Sequence, residues 1–119
     1  MADSQVVLRY RDGRTERATL AAVDADRQVF TVERDGARDE VPFSEIKAVF
    51  FPRTTPAEEL EPAAGSTIAV EFADGEVIRG VAQYNPERSG FYLYPYDRNR
   101  NERIFVVSSA IVSIEVEKL

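Results

Sequence analysis

The segment Val6-Val7-Leu8-Arg9-Tyr10-Arg11-Asp12-Gly13-Arg14 returns later in the chain as Ile68-Ala69-Val70-Glu71-Phe72-Ala73-Asp74-Gly75-Glu76. Each copy closes on an apolar segment, Ile46 to Phe51 and Ile111 to Val116. A repeated β module is therefore the architecture to expect. Units of roughly 50 residues bury too little surface to be secure alone, which predicts that the two copies pack together in this 119-residue chain.

Within the first copy, Gln5 to Arg11 alternates in polarity and runs into Asp12-Gly13, a hairpin signal, with Thr15 to Val23 as the returning strand. Asp24-Ala25-Asp26 reads as a turn, Val29 to Val32 as a short strand, and Asp35-Gly36 as a second hairpin turn before Val41-Pro42-Phe43. Phe43-Ser44-Glu45-Ile46 has room for one 3₁₀ turn ahead of the closing strand. The second copy repeats this plan. It has strands at Thr67–Ala73, Val77–Tyr84, Phe91–Tyr94, Ile104–Val107 and Ile111–Val116, and a polar loop from Asp97 to Glu102.

This spacing predicts an all-β fold, and its order of strands and turns resembles the SH3-like or Sm-like barrel. The expected organisation is a tandem pair of small five-stranded barrels packed together. Residues 1–52 form the first, 67–119 the second, and a Pro/Glu-rich linker at 53–66, with one helical turn near Ala57 to Leu60, separates them. One larger intertwined sandwich is the competing topology.

Composition then narrows the chemistry. With no Cys and no His, the chain has no disulfide, thiolate nucleophile, imidazole base or common zinc ligand. Ser108-Ser109 lack a nameable base, so the expectation is a non-enzyme with no metal and no cofactor. A net charge of −6 makes nucleic acid an unfavoured partner, since phosphate neutralisation drives such binding. No apolar run reaches the length of a membrane helix and the N-terminus does not read as a signal peptide, so the expected setting is cytoplasmic.

Two features point to a contact surface. Strict alternation in Phe91-Tyr92-Leu93-Tyr94-Pro95-Tyr96 puts Tyr92, Tyr94 and Tyr96 on one face and Phe91 and Leu93 on the other. Either the tyrosines form a surface strip suited to a protein partner, or both faces meet halves of a double core. Beside them, Arg98, Arg100 and Arg103 lie in an Arg-rich loop, a composition shared by protein hot spots and by platforms for single-stranded nucleic acid. The bland alternative is a solvated loop whose arginines pair with Glu87, Asp97 and Glu102.

The second copy also resembles a small uncharacterised β domain of regulatory proteins from myxobacteria and related delta-proteobacteria. Phe72 to Gly80, Gly90 to Pro95 and Asn101 to Val106 carry that resemblance, over residues 68–116. A free-standing chain of this size is similar to motility polarity regulators of the RomX type. The resemblance implies an adaptor that works with a response regulator to stimulate nucleotide exchange on a small Ras-like GTPase. The alternative implied by the barrel resemblance is an Sm-like RNA or nucleotide-binding module, and homo-oligomerisation is open in either case.

Overall fold

The computed structural model describes residues 4–56, 59–60 and 64–117, and among them the fold is all-β. The strands are β1 (Ser4–Tyr10), β2 (Thr15–Asp24), β3 (Val29–Arg34), β4 (Ala37–Pro42), β5 (Ile46–Pro52), β6 (Ser66–Phe72), β7 (Val77–Ala82), β8 (Gly90–Pro95), β9 (Asn101–Val107) and β10 (Ile111–Glu117). Single 3₁₀ turns, Phe43–Glu45 and Ser108–Ala110, precede β5 and β10. Part of the helical turn expected at Ala57 to Leu60 falls outside the described residues; within them, Glu59 N–H donates to the Pro56 carbonyl.

The repeat extends to atomic detail at the first hairpin. Tyr10 N–H donates to the Arg14 carbonyl and Gly13 N–H to Tyr10, and the same pair recurs from Phe72 to Glu76 and from Gly75 to Phe72. Gly13 and Gly75 carry φ of 98° and 89°, a region costly for any residue with a Cβ. The Asp12 and Asp74 carboxylates each accept the amide two residues on, which closes the turn.

All ten strands form one antiparallel sheet in the order β10-β6-β7-β8-β9-β5-β1-β2-β3-β4. The order itself is a repeat: β5-β1-β2-β3-β4 in the first half and β10-β6-β7-β8-β9 in the second. Instead of two sheets each closed by hydrogen bonds, the halves are joined into one open sheet where β9 pairs with β5. The ladder there sets Ala48 opposite Val106, Val49 opposite Phe105, Phe50 opposite Ile104 and Phe51 opposite Arg103. That pairing also draws Asn101, Glu102 and Arg103 out of the expected loop and into β9.

Why the halves join here is written in β5. Residues Ile46 to Phe51 are all buried, and so are Ile104 to Val107 of β9. Strands covered on both faces read as continuous apolar runs rather than alternating ones. Pairing is register-exact, so opposed residues share a face. Leu8, Val49 and Phe105 lie on the face buried in the first half, while Phe50, Ile104 and Leu93 lie on the face buried in the second. At this seam the buried side of the sheet changes over, and one hydrophobic cluster runs through both halves.

A polar clasp crosses the same seam. Lys47 occupies a bulge in β5, with 9% of its side chain exposed, and its Nζ lies 2.7 Å from Asp74 and 2.5 Å from Glu76 on the β6–β7 hairpin. The ammonium also sits 4.7 Å from the centre of the Phe72 ring. Arg9 approaches Glu76 at 3.4 Å and lies over Phe50. Arg11 spans the halves as well, donating to the carbonyls of Ile46 and Phe43 and, at 2.6 Å, to Ser109 Oγ. Ser109 is thus held as an acceptor, a structural use of the Ser108-Ser109 pair.

Two glycines mark close approaches rather than turns. A Cβ on Gly80 would run into the Tyr94 carbonyl, and one on Gly90 into the Phe105 ring. Among the described residues no helix is long and apolar enough to cross a membrane.

Candidate functional site

Alternation along β8 orients the side chains as the sequence predicts. Phe91 and Leu93 are buried, 6% and 0% exposed, and Tyr92 and Tyr94 lie on the opposite face, each half-buried. The alternatives of surface strip and double core are both partly realised. Tyr92 packs edge-on to Phe105 at 5.2 Å between ring centres and touches Phe51 at 5.9 Å, so its ring is tied to the core. Burial raises the Tyr92 phenol above its ordinary range, and the charge of Arg103 opposes that rise.

These tyrosines line an open groove of about 1110 Å³. It is lined by Tyr84, Arg88 and Gly90, by Tyr92, Tyr94, Arg98 and Arg103, and by Thr55, Glu59 and Leu60 of the connecting segment. Tyr84 meets Phe91 edge-on at 5.2 Å. The first half contributes as well, through Ala25, whose carbonyl accepts a hydrogen bond from Ser89 Oγ.

Arg103 is the central group. Its guanidinium carbon lies 4.4 Å from the Phe51 ring centre and 5.1 Å from that of Tyr92, a cation held against two aromatic rings. Among the described residues it makes no salt bridge, and its buried Nε has no hydrogen-bond partner. Arg98 lies 5.3 Å from the Tyr94 ring and donates through Nε to the Glu102 carbonyl.

The loop carboxylates are engaged elsewhere. Glu102 Oε1 accepts from Thr54 N–H at 2.7 Å and Thr55 N–H at 2.6 Å, and Asp97 accepts from Asn99 N–H. For Glu102, burial pushes the carboxyl up, but the donated N–H bonds from Thr55 and Thr54 outweigh it and bring the pKa down from 4.5 to about 2. A folded pKa below the unfolded one gives stability that is present above pH 4.5 and lost as pH falls from 4.5 towards 2. Accordingly, Glu102→Gln is expected to flatten the loss of unfolding midpoint between those pH values while lowering the midpoint at neutral pH. A matched acid limb in wild type and variant would exclude this role.

Of the six candidate residues, Tyr92, Tyr94, Arg98 and Arg103 are brought to one groove. Tyr96 lies beyond the end of β8, 61% exposed, and Arg100 is exposed in the turn before β9, its carbonyl taken by Arg53 N–H. Neither lines the groove. Sequence reasoning did not identify Tyr84 or Arg88 as part of the same groove, nor the buried Phe51 as the ring that backs Arg103. Tyr84 lay within reach, as an aromatic at the end of a strand beside a turn, but Phe51 joins only through the β5–β9 pairing.

No curated protein and no solved structure matches the chain. A family model does match, over residues 2–118, so the coverage takes in both copies of the repeat and not only residues 68–116. The chain belongs to a family of unknown function, DUF6982.

Proposed function

We propose that this chain is a non-catalytic binding protein whose groove takes an acidic segment of a protein partner. The observation that carries the reading is Arg103: a guanidinium fixed on two aromatic faces, in an open groove, with no acidic partner of its own among the described residues. An arginine held against aromatic rings offers a planar pair of donors that matches a carboxylate, and Tyr92, Tyr94 and Tyr84 offer rigid apolar area around it. We read the two strand runs, 1–52 and 67–119 joined by 53–66, as SH3-like or Sm-like units that place this groove beside their seam. The setting we propose is cytoplasmic.

The narrower form of this reading is an adaptor that acts with a response regulator to stimulate exchange on a small Ras-like GTPase, supported by the resemblance of residues 68–116. In that form the groove would hold one state of the partner's switch region, and each ~1.4 kcal/mol of preference shifts a two-state population tenfold. The same aromatic and Arg pairing also supports a second reading, an Sm-like RNA or nucleotide-binding module.

Tyr94→Ala combined with Arg103→Ala separates these readings. Both side chains lie at the groove surface, so the variant is expected to fold, with a cooperative unfolding transition near that of wild type. Partner capture from nuclease-treated bacterial extract is expected to fall at least tenfold, as for hot-spot truncations of about 2 kcal/mol. Unfolding of the variant would return these residues to the core and end the groove assignment. Binding that requires nucleic acid and weakens steeply with salt would instead select the RNA reading.

A further inference from the structure

We propose that the outer edge of β10 is a docking site for an extended segment of another protein in which basic and apolar residues alternate, added to the sheet as a further strand. The surface is separate from the groove. Among the described residues nothing pairs with this edge of β10, which ends the sheet. An unpaired strand edge presents backbone donors and acceptors ready for another chain.

The molecule contains its own template for what belongs there. β5 and β10 are equivalent strands, each following a 3₁₀ turn and each skipping one residue in its ladder. Tyr10 and Arg9 pair with Ile46 and Ala48, and Phe72 and Glu71 with Ile111 and Ser113. Ala48, Val49, Phe50 and Phe51 therefore correspond to Ser113, Ile114, Glu115 and Val116. In the first half, the outer edge of β5 is covered by β9, a strand from the other half. In the second half nothing among the described residues pairs with the corresponding edge.

What lies on that edge defines the occupant. Ile114 pairs with Val70 and Val116 with Ile68, so both side chains project to the face that is buried further into the sheet, yet Ile114 is only half-buried and Val116 is 49% exposed. An added strand with apolar residues opposite these two would complete that face, as Phe105 does opposite Val49. Glu115 and Glu117 alternate with them, and basic residues opposite these carboxylates would give cross-strand charge pairs. Glu115 makes no salt bridge among the described residues, and Glu117 has only a 3.7 Å approach from Arg79.

A second copy docked through β4, the counterpart of β9, does not meet that requirement: the same register would set Asp39 opposite Glu115 and Glu40 opposite Ile114. The first places like charges face to face and the second sets a carboxylate against an apolar position. The charges of β4 are moreover neutralised within the chain, with Arg34 2.8 Å from Asp39 and Arg27 2.9 Å from Glu40.

The test uses the full chain and a labelled synthetic peptide alternating Lys with Val or Phe. Saturable binding is expected, with backbone amide shifts concentrated on Ile111–Glu117 and absent from Ala37–Pro42. Glu115→Lys with Glu117→Lys is expected to weaken binding about tenfold, two charge reversals of up to about 1 kcal/mol each, and Asp39→Lys with Glu40→Lys to leave it unchanged. Amide spectra without peptide establish that each variant folds, and Glu115→Gln with Glu117→Gln replaces the lysine pair should that pair unfold. Absence of saturable binding, shifts on β4 or the groove, equal affinity in the β10 variants, or self-association of the peptide-free chain through β10 would each overturn the proposal.

Discussion

Phe105→Ala is expected to destabilise the chain by about 3–5 kcal/mol, the cost of emptying a large aromatic site. Phe105 is carried by β9, in the second half, but its ring is edge-on to Phe30 at 5.6 Å and to Phe43 at 5.7 Å, and those two stack on each other at 4.5 Å. It also pairs with Val49 and touches Tyr92. One truncation therefore opens a cavity in the first half's core and loosens the joint between halves. Against a typical total of about 5–15 kcal/mol, that is a large share. Urea unfolding provides the measurement, with Phe105→Leu as a milder companion expected to lose much less; a loss under about 1 kcal/mol for alanine would show that the aromatic cluster does not hold the halves together.

Removing both carboxylates of the clasp, Asp74→Ala with Glu76→Ala, is expected to cost about 3 kcal/mol, because it leaves the Lys47 ammonium buried with no counter-charge. The diagnostic result lies in the third substitution. Adding Lys47→Met to that pair removes the stranded charge and fills the same channel beside Phe72, so most of the stability is expected to return. Simple additivity, in which Lys47→Met lowers stability further, would mean that the clasp contributes by attraction and not by satisfying a buried cation.

Much of this architecture could be read from local chemistry. Asp12-Gly13, Asp35-Gly36 and Asp74-Gly75 marked hairpins because each needs a residue that tolerates positive φ, and Asp35 and Gly36 do adopt φ of 50° and 82°. The period of two in Phe91 to Tyr96 oriented four of its side chains correctly. What escaped was the pairing of β5 with β9. Hydrogen bonds between distant strands leave no local signature, and the sign of this one is indirect: the unbroken apolar runs at Ile46–Phe51 and Ile104–Val107, which two-sided burial explains. Missing that pairing also hid the placement of Arg103 and Phe105 in the groove. Arg103 was visible as an arginine near tyrosines, but not as a strand residue facing Phe51, and its lack of an acidic partner among the described residues depends on Glu102 turning away to Thr54 and Thr55.

The correspondence between β5 and β10 has an evolutionary side. In an assembly of identical single units, one strand would have to serve every junction, and any substitution there would strike all of them at once. Carrying both copies on one chain ends that coupling. Phe50 and Phe51 can be held for the internal seam while their counterparts become Glu115 and Val116, and Phe105 can be kept where β4 carries Glu40. Duplication thus gives each junction its own heritable sequence, and the outermost strand becomes free to acquire a specificity that the seam does not share.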